Sequence, residues 1–171
     1  MNSLDQYRLF RRPWTHFCLL FCLLIVFTAK AQEKPPRPIT VTVNTAQYLS
    51  FGVFIQNGTN GAVTVDYNGT RSSSGSIILP SISSIVTPAL FIVDAEPGTL
   101  VTIMNGPTAI LSGNNGGTLI LTIGESSVGN PFITRGKTTN VYIGGTLQVG
   151  ALGANPAGFY NGSFQVTFIQ Q

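Results

Sequence analysis

The sequence predicts an all-β fold: an immunoglobulin-like antiparallel β-sandwich of about eight short strands, placed after a signal peptide. Three observations predict it. Apolar and polar residues alternate with period two in run after run, which sends successive side chains to opposite faces of a sheet. Asn-Gly pairs recur between the runs, and both residues tolerate the positive φ that tight connections require. Past the first thirty-one residues, no stretch carries an apolar 3.6-residue period with a cap at each end.

The opening residues have the three-part layout of an export signal. Arg8, Arg11 and Arg12 supply a basic start, residues 17–27 (FCLLFCLLIVF) an apolar run, and Ala29-Lys30-Ala31 a small-residue cleavage site. The apolar run falls well short of the roughly 20 residues a helix needs to cross a bilayer. Cleavage after Ala31 makes 1–31 a signal peptide and Gln32 the first residue of the mature chain, with no membrane span left. Residues 32–38 (QEKPPRP) form a Pro-rich leader in which three prolines favour extended geometry and forbid a regular helix. Residues 39–171 are then a single β-sandwich domain, long enough to bury a core of its own.

The strands follow in order. Ile39, Val41 and Val43 share one face with Thr40 and Thr42 opposite, and Val63 to Tyr67 repeat the pattern. Further runs cover residues 76–79, 89–94, 100–104, 118–123 and 140–149. At the C-terminus Tyr160, Gly162, Phe164, Val166 and Phe168 share one face of a single expected strand, with Asn161, Ser163, Gln165, Thr167 and Ile169 on the other. Turn signals separate these runs at Asn57-Gly58, Asn60-Gly61, Asn68-Gly69, Pro97-Gly98, Asn105-Gly106-Pro107, residues 114–117 and Asn155-Pro156. Glycines at 144–145 and 150–153 have no following helix and fit bulges, bends or close backbone approach within strands.

Signal cleavage alters the composition. Cys18, Cys22, His16 and Trp14 are the only residues of their types, and all precede Ala31. The mature chain therefore has no disulfide, no His- or Cys-based zinc site and no histidine base for a serine or cysteine nucleophile. The full chain carries a formal charge of +3, but Arg8, Arg11, Arg12, Lys30 and Asp5 leave with the signal. Five cations and five anions remain, so a basic surface for nucleic acid is not expected.

Other motifs reduce to structure. Asp94 and Glu96 form a carboxylate pair beside Pro97-Gly98, where a strand ends at the surface, and they are expected to be solvated. Gly136-Lys137-Thr138 has the ending of a phosphate loop, but Pro131 stands where such a loop needs glycine and no helix follows. Arg135 and Lys137 are expected to keep a loop soluble. Three N-glycosylation patterns, at Asn57, Asn68 and Asn161, coincide with Asn-Gly pairs, the last inside the C-terminal strand signal, and are expected to reflect turn geometry or chance. No catalytic, cofactor-binding or metal-ligating residue is assigned, and no cofactor is expected.

Four stretches carry a likeness to a known family: Leu49-Ser50-Phe51-Gly52; residues 63–79 (VTVDYNGTRSSSGSIIL); residues 91–98 (FIVDAEPG); and residues 141–168, containing Ile143-Gly144-Gly145-Thr146-Leu147 and AGFYNGSF at 157–164. On these the chain resembles the domain of unknown function 4402 family of secreted bacterial proteins, itself similar to the spore coat protein U group and, more distantly, to chaperone–usher pilins. The resemblance implies an exported immunoglobulin-like sandwich and brings no catalytic or ligand residues. Many coat-type relatives use a disulfide that this mature chain cannot form. Pilins accept a strand from a neighbour; here Ile39 to Val43 would be the donor, or would pair within its own domain.

The functional expectation is a non-enzymatic structural or adhesive module, periplasmic, cell-surface or extracellular. It would associate with itself or an envelope partner through sheet edges. The alternative is a secreted binding module for carbohydrate or another surface ligand, with Tyr48, Tyr67, Tyr142, Phe159 and Tyr160 as candidate stacking aromatics.

Overall fold

The computed structural model describes residues 40–43, as backbone only, and residues 47–171; the expected signal peptide and Pro-rich leader lie outside the described residues. Among the described residues there are thirteen strands and no helix. In chain order they are β1 (Thr40–Val43), β2 (Ser50–Phe51), β3 (Ile55–Val65), β4 (Arg71–Ile78), β5 (Val86–Thr87), β6 (Ala89–Asp94) and β7 (Leu100–Asn105). Then come β8 (Ala109–Gly113), β9 (Thr118–Ser126), β10 (Phe132–Ile133), β11 (Thr138–Val149), β12 (Tyr160–Asn161) and β13 (Val166–Gln170). The all-β antiparallel sandwich read from the alternation is the fold. There are more strands than the eight expected, because several are two-residue pairings too short to alternate.

The larger sheet runs β1-β6-β11-β9-β8-β12, with β3 and β4 attached beside β11. β11 organises it. Along one edge, residues 138–143 pair with β6 and residues 145–149 pair with β3; along the other edge β11 pairs with β9. The handover from β6 to β3 falls at Gly144. A Cβ there would collide with the carbonyl oxygen of Val65 and lie 2.8 Å from the Cα of Asp66, so only glycine lets the two backbones meet. The register with β9 also shifts between Ile143 and Gly145, which is the bulge and close approach expected of Gly144-Gly145.

The second layer is smaller. It consists of the sheet β10-β7-β13 and the separate pair β2-β5. Beneath the three-stranded sheet, Phe91, Val93, Val141 and Ile143 of the large sheet meet Val101, Ile103 and Phe132. Phe91 also sits 5.5 Å from Phe168 and 6.3 Å, edge-on, from Phe164, centroid to centroid. The other half of the large sheet presents Val63, Val65, Leu119, Leu121, Leu147 and Val149, against which Phe51, Phe54, Val86 and Tyr160 pack. Leu49, Ile123 and Phe164 touch both halves of the core.

Three local expectations are corrected. The Asn57-Gly58 and Asn60-Gly61 pairs lie within β3 rather than in a turn. Pairing with β4 skips from Gln56 to Gly61, so the extra residues bulge out instead of reversing the chain. The single C-terminal strand is two: β12 pairs with β8 in the large sheet, and β13 with β7 in the small one. Gly162, where the chain crosses between layers, lies so close to Ile110 that a Cβ would meet its carbonyl at 2.6 Å. The expected alternation still holds, since Tyr160, Phe164, Val166 and Phe168 all turn to the core. Finally, residues 151–158 form a loop and not a bent strand. The segment Thr40–Val43, left open between donation and self-pairing, runs antiparallel to β6 of its own domain, Thr40 opposite Asp94 and Val43 opposite Phe91.

Candidate functional site

The two-strand pair β2-β5 is too small to cover its half of the large sheet, and a groove of about 630 Å³ remains. Its floor is made by Leu111, Leu119, Leu147 and Val149. One wall is residues 49–56 and the other residues 155–160, with Leu152 at the rim. No lining residue carries a charge.

Both walls are locked by side-chain hydrogen bonds. Arg71 Nη1 donates to the carbonyls of Phe51 and Val53, each at 3.0 Å, and so holds the first wall extended. Gly52 turns that wall at φ 66, with its missing Cβ only 2.6 Å from Ser84 Oγ and 2.8 Å from Arg71 Nη1. Ser50 Oγ donates to Ile85 O and Thr87 Oγ1 to Tyr48 O, fastening β2 to β5. On the opposite wall, Asn155 accepts from Gly150 N and donates to Thr118 O. Asn114 Oδ1 accepts from Phe159 N, Asn115 donates to Ala157 O, and the Tyr160 hydroxyl donates to Pro156 O at 2.7 Å. Gln56 Nε2 ties β3 to the loop by donating to Gly58 O, Thr59 O and Gly150 O. With three carbonyls around its nitrogen, the amide orientation is fixed. Its Oε1 is buried and takes no bond from any described residue.

These bonds hold large apolar groups in water. Phe159 is 85% exposed and Leu152 71%, while Val53 and Ile55 on the opposite wall are also exposed.

A second feature is the edge of the small sheet. Among the described residues β13 pairs with β7 alone. Its sequence VTFIQ has no charge and no proline, the devices that usually keep edges from pairing. Among the described residues the longest edge strand, β4, begins at Arg71 and pairs opposite the bulge of β3 at Gly75, whose φ is 66.

The residues singled out in the sequence are scattered. Asp94 ends β6 and accepts a hydrogen bond from Thr138 Oγ1, and Glu96 lies in the turn beyond, its carbonyl bonded by Thr99 and Thr134. Among the described residues no three acidic, His or Cys side chains cluster as metal ligands. Arg135 and Lys137 are exposed, as are Asn57, Asn68 and Asn161. Of the five candidate aromatics, Phe159 and Tyr160 line the groove, whereas Tyr48, Tyr67 and Tyr142 do not. Sequence reasoning missed the groove itself. Its one legible signal was Leu49-Ser50-Phe51-Gly52, where a glycine interrupts an apolar extended run.

Fold and surface thus define a two-layer antiparallel β domain with one layer incomplete. The chain belongs to the family described as domain of unknown function (DUF4402), whose model matches residues 41–169. Comparison with curated proteins and with solved structures found no match.

Proposed function

We propose that this chain is an exported, non-enzymatic structural or adhesive surface module that assembles by strand pairing, in a pilin-like manner, through the outer edge of β13. The observation that carries this reading is the chemistry of that edge: five residues, Val166–Gln170, with no charge, no proline and no partner strand on the outer side among the described residues. A row of free backbone donors and acceptors on such a strand is a template for another strand. Both layers are joined by a core that spans them, so an added strand extends a rigid platform. The signal-like N-terminus and a mature chain without histidine or cysteine support an extracytoplasmic, non-catalytic role.

The test is the native mass of the purified protein, with unheated and heated denaturing gels alongside. Self-assembly predicts a ladder that collapses only on heating. Thr167 is exposed at the middle of β13, and Thr167→Lys places a charge on the edge without touching the core. That variant should shift the ladder to monomer. A clean monomer from the unaltered chain at high concentration overturns the proposal.

A further inference from the structure

The groove beside β2 has no part in edge pairing, because none of its lining residues belongs to β13. We propose that it is a binding site for an uncharged single-chain amphiphile, whose aliphatic chain lies on Leu111, Leu119, Leu147 and Val149 and whose head stays at the rim. Four features support this assignment. The volume of about 630 Å³ falls within the few hundred to about 1,000 Å³ of small-molecule sites. The floor is aliphatic, and the lining contains no acidic or basic side chain to match a charged ligand. Its hydrogen-bonding side chains are engaged in holding the walls, Gln56 through Nε2, Asn155 through both amide atoms and Tyr160 through its hydroxyl, and the one acceptor left over, Gln56 Oε1, is buried; apolar surface is what the groove offers. The walls are preformed, so binding does not have to order them.

The rim adds a fifth feature. A loop free to move would fold Phe159 and Leu152 inward over the floor and bury them. Here Asn114 holds the backbone of Phe159, Asn115 holds Ala157, Tyr160 holds Pro156, and the amide of Leu152 donates to Gly58 O, which keeps the groove open with both side chains in water. An apolar chain entering between them covers the floor and part of the rim together. A sugar would instead need several polar partners, and the only polar side-chain atom of the lining left without one among the described residues, Gln56 Oε1, is buried.

The probe is N-phenyl-1-naphthylamine, an uncharged apolar fluorophore, titrated into the protein purified from cells expressing the full chain. The expected result is saturable fluorescence enhancement with one probe per chain, reversed by 1-decanol and unaffected by glucose. With no carboxylate, imidazole, ammonium or guanidinium in the lining, the affinity should be unchanged from mildly acidic to mildly alkaline buffer. Phe159→Ser combined with Leu152→Ser removes two exposed rim groups and leaves the core intact. Affinity should fall roughly tenfold, the loss expected for one partly buried apolar side chain, with the thermal midpoint unchanged. Absence of saturable binding, or equal affinity in the double variant, overturns the assignment. So does co-sedimentation with phosphatidylcholine vesicles that monomeric 1-decanol fails to compete, which would make the face a membrane-contact surface. Thr167→Lys separates the two proposals: it should abolish the gel ladder and leave probe binding untouched.

Discussion

A few polar side chains hold this fold where the sheets cannot. Thr134 is 1% exposed, the only buried polar residue among those described. Its hydroxyl donates to Glu96 O at 2.6 Å and accepts from Thr99 N at 3.1 Å, while its backbone bonds Gly98 and Thr99. One residue thereby clamps the turn between β6 and β7 to the chain following β10. Thr134→Val keeps the shape but removes the hydroxyl's bonds, leaving Thr99 N and Glu96 O only their bonds within the turn; the expected loss is about 0.5–1.5 kcal/mol in chemical denaturation. Asn130 acts similarly just before β10. Its side-chain amide donates to Ile103 O at 2.7 Å and accepts from Ile103 N at 2.8 Å, imitating one more residue of strand pairing. Asn130→Asp keeps the acceptor and loses the donor, so the carboxylate oxygen that replaces Nδ2 faces the Ile103 carbonyl. Its destabilisation at neutral pH should exceed that of Asn130→Ala, and denaturant midpoints of the two variants decide it.

At the scale of elements, β11 shows what one glycine permits. Residues on either side of Gly144 keep their alternation, with Val141, Ile143, Leu147 and Val149 all buried, yet they pair with different neighbours. Gly144→Ala places a methyl into the Val65 carbonyl, and relief requires β3 to part from β11. The expected cost is about 1–3 kcal/mol or more, read as a lower thermal midpoint, whereas Gly129→Ala, with open space around it but φ 79, should cost only the backbone strain. This is also where the sequence was most and least legible. Alternation identified the core faces of β6, β11 and the C-terminal run, because burial on one face selects apolar residues at every second position. It did not separate β12 from β13, since a strand that passes from one layer to the other keeps the same inward face. Asn-Gly pairs misled at β3 because the same positive-φ tolerance serves a bulge and a turn; Gly58 has φ 140 within a strand. The groove was illegible for a different reason. Its floor residues are ordinary core positions in their own strands, and only the shortness of β2 and β5, a tertiary property, leaves them uncovered.

At the scale of the molecule, hairpins join β3 to β4 and β8 to β9, while most of the remaining sheet pairings join distant parts of the chain. β3 meets β11, β1 meets β6, and β13 returns to β7 more than fifty residues back. Topologies of this kind close long loops before contacts repay them, and they fold in milliseconds to seconds. The same architecture sets a gradient of local stability. β11 is hydrogen-bonded along both edges and contributes to both halves of the core, so freeing its amides means separating β9, β6 and β3 from it at once. β10 and β12 hold by two residue pairs each, and β2-β5 by two more, all at the periphery. Native-state hydrogen exchange should therefore show Val141, Ile143, Leu147 and Val149 exchanging only through global unfolding, with opening free energies equal to the denaturant value. Amides of β12 and the β2-β5 pair should exchange through local openings several kcal/mol smaller. Should the β2-β5 amides prove as protected as β11, the wall of the groove would be part of the cooperative core. Should they open locally, Arg71 is what returns the wall to place, and Arg71→Ala would accelerate their exchange while leaving that of β11 unchanged.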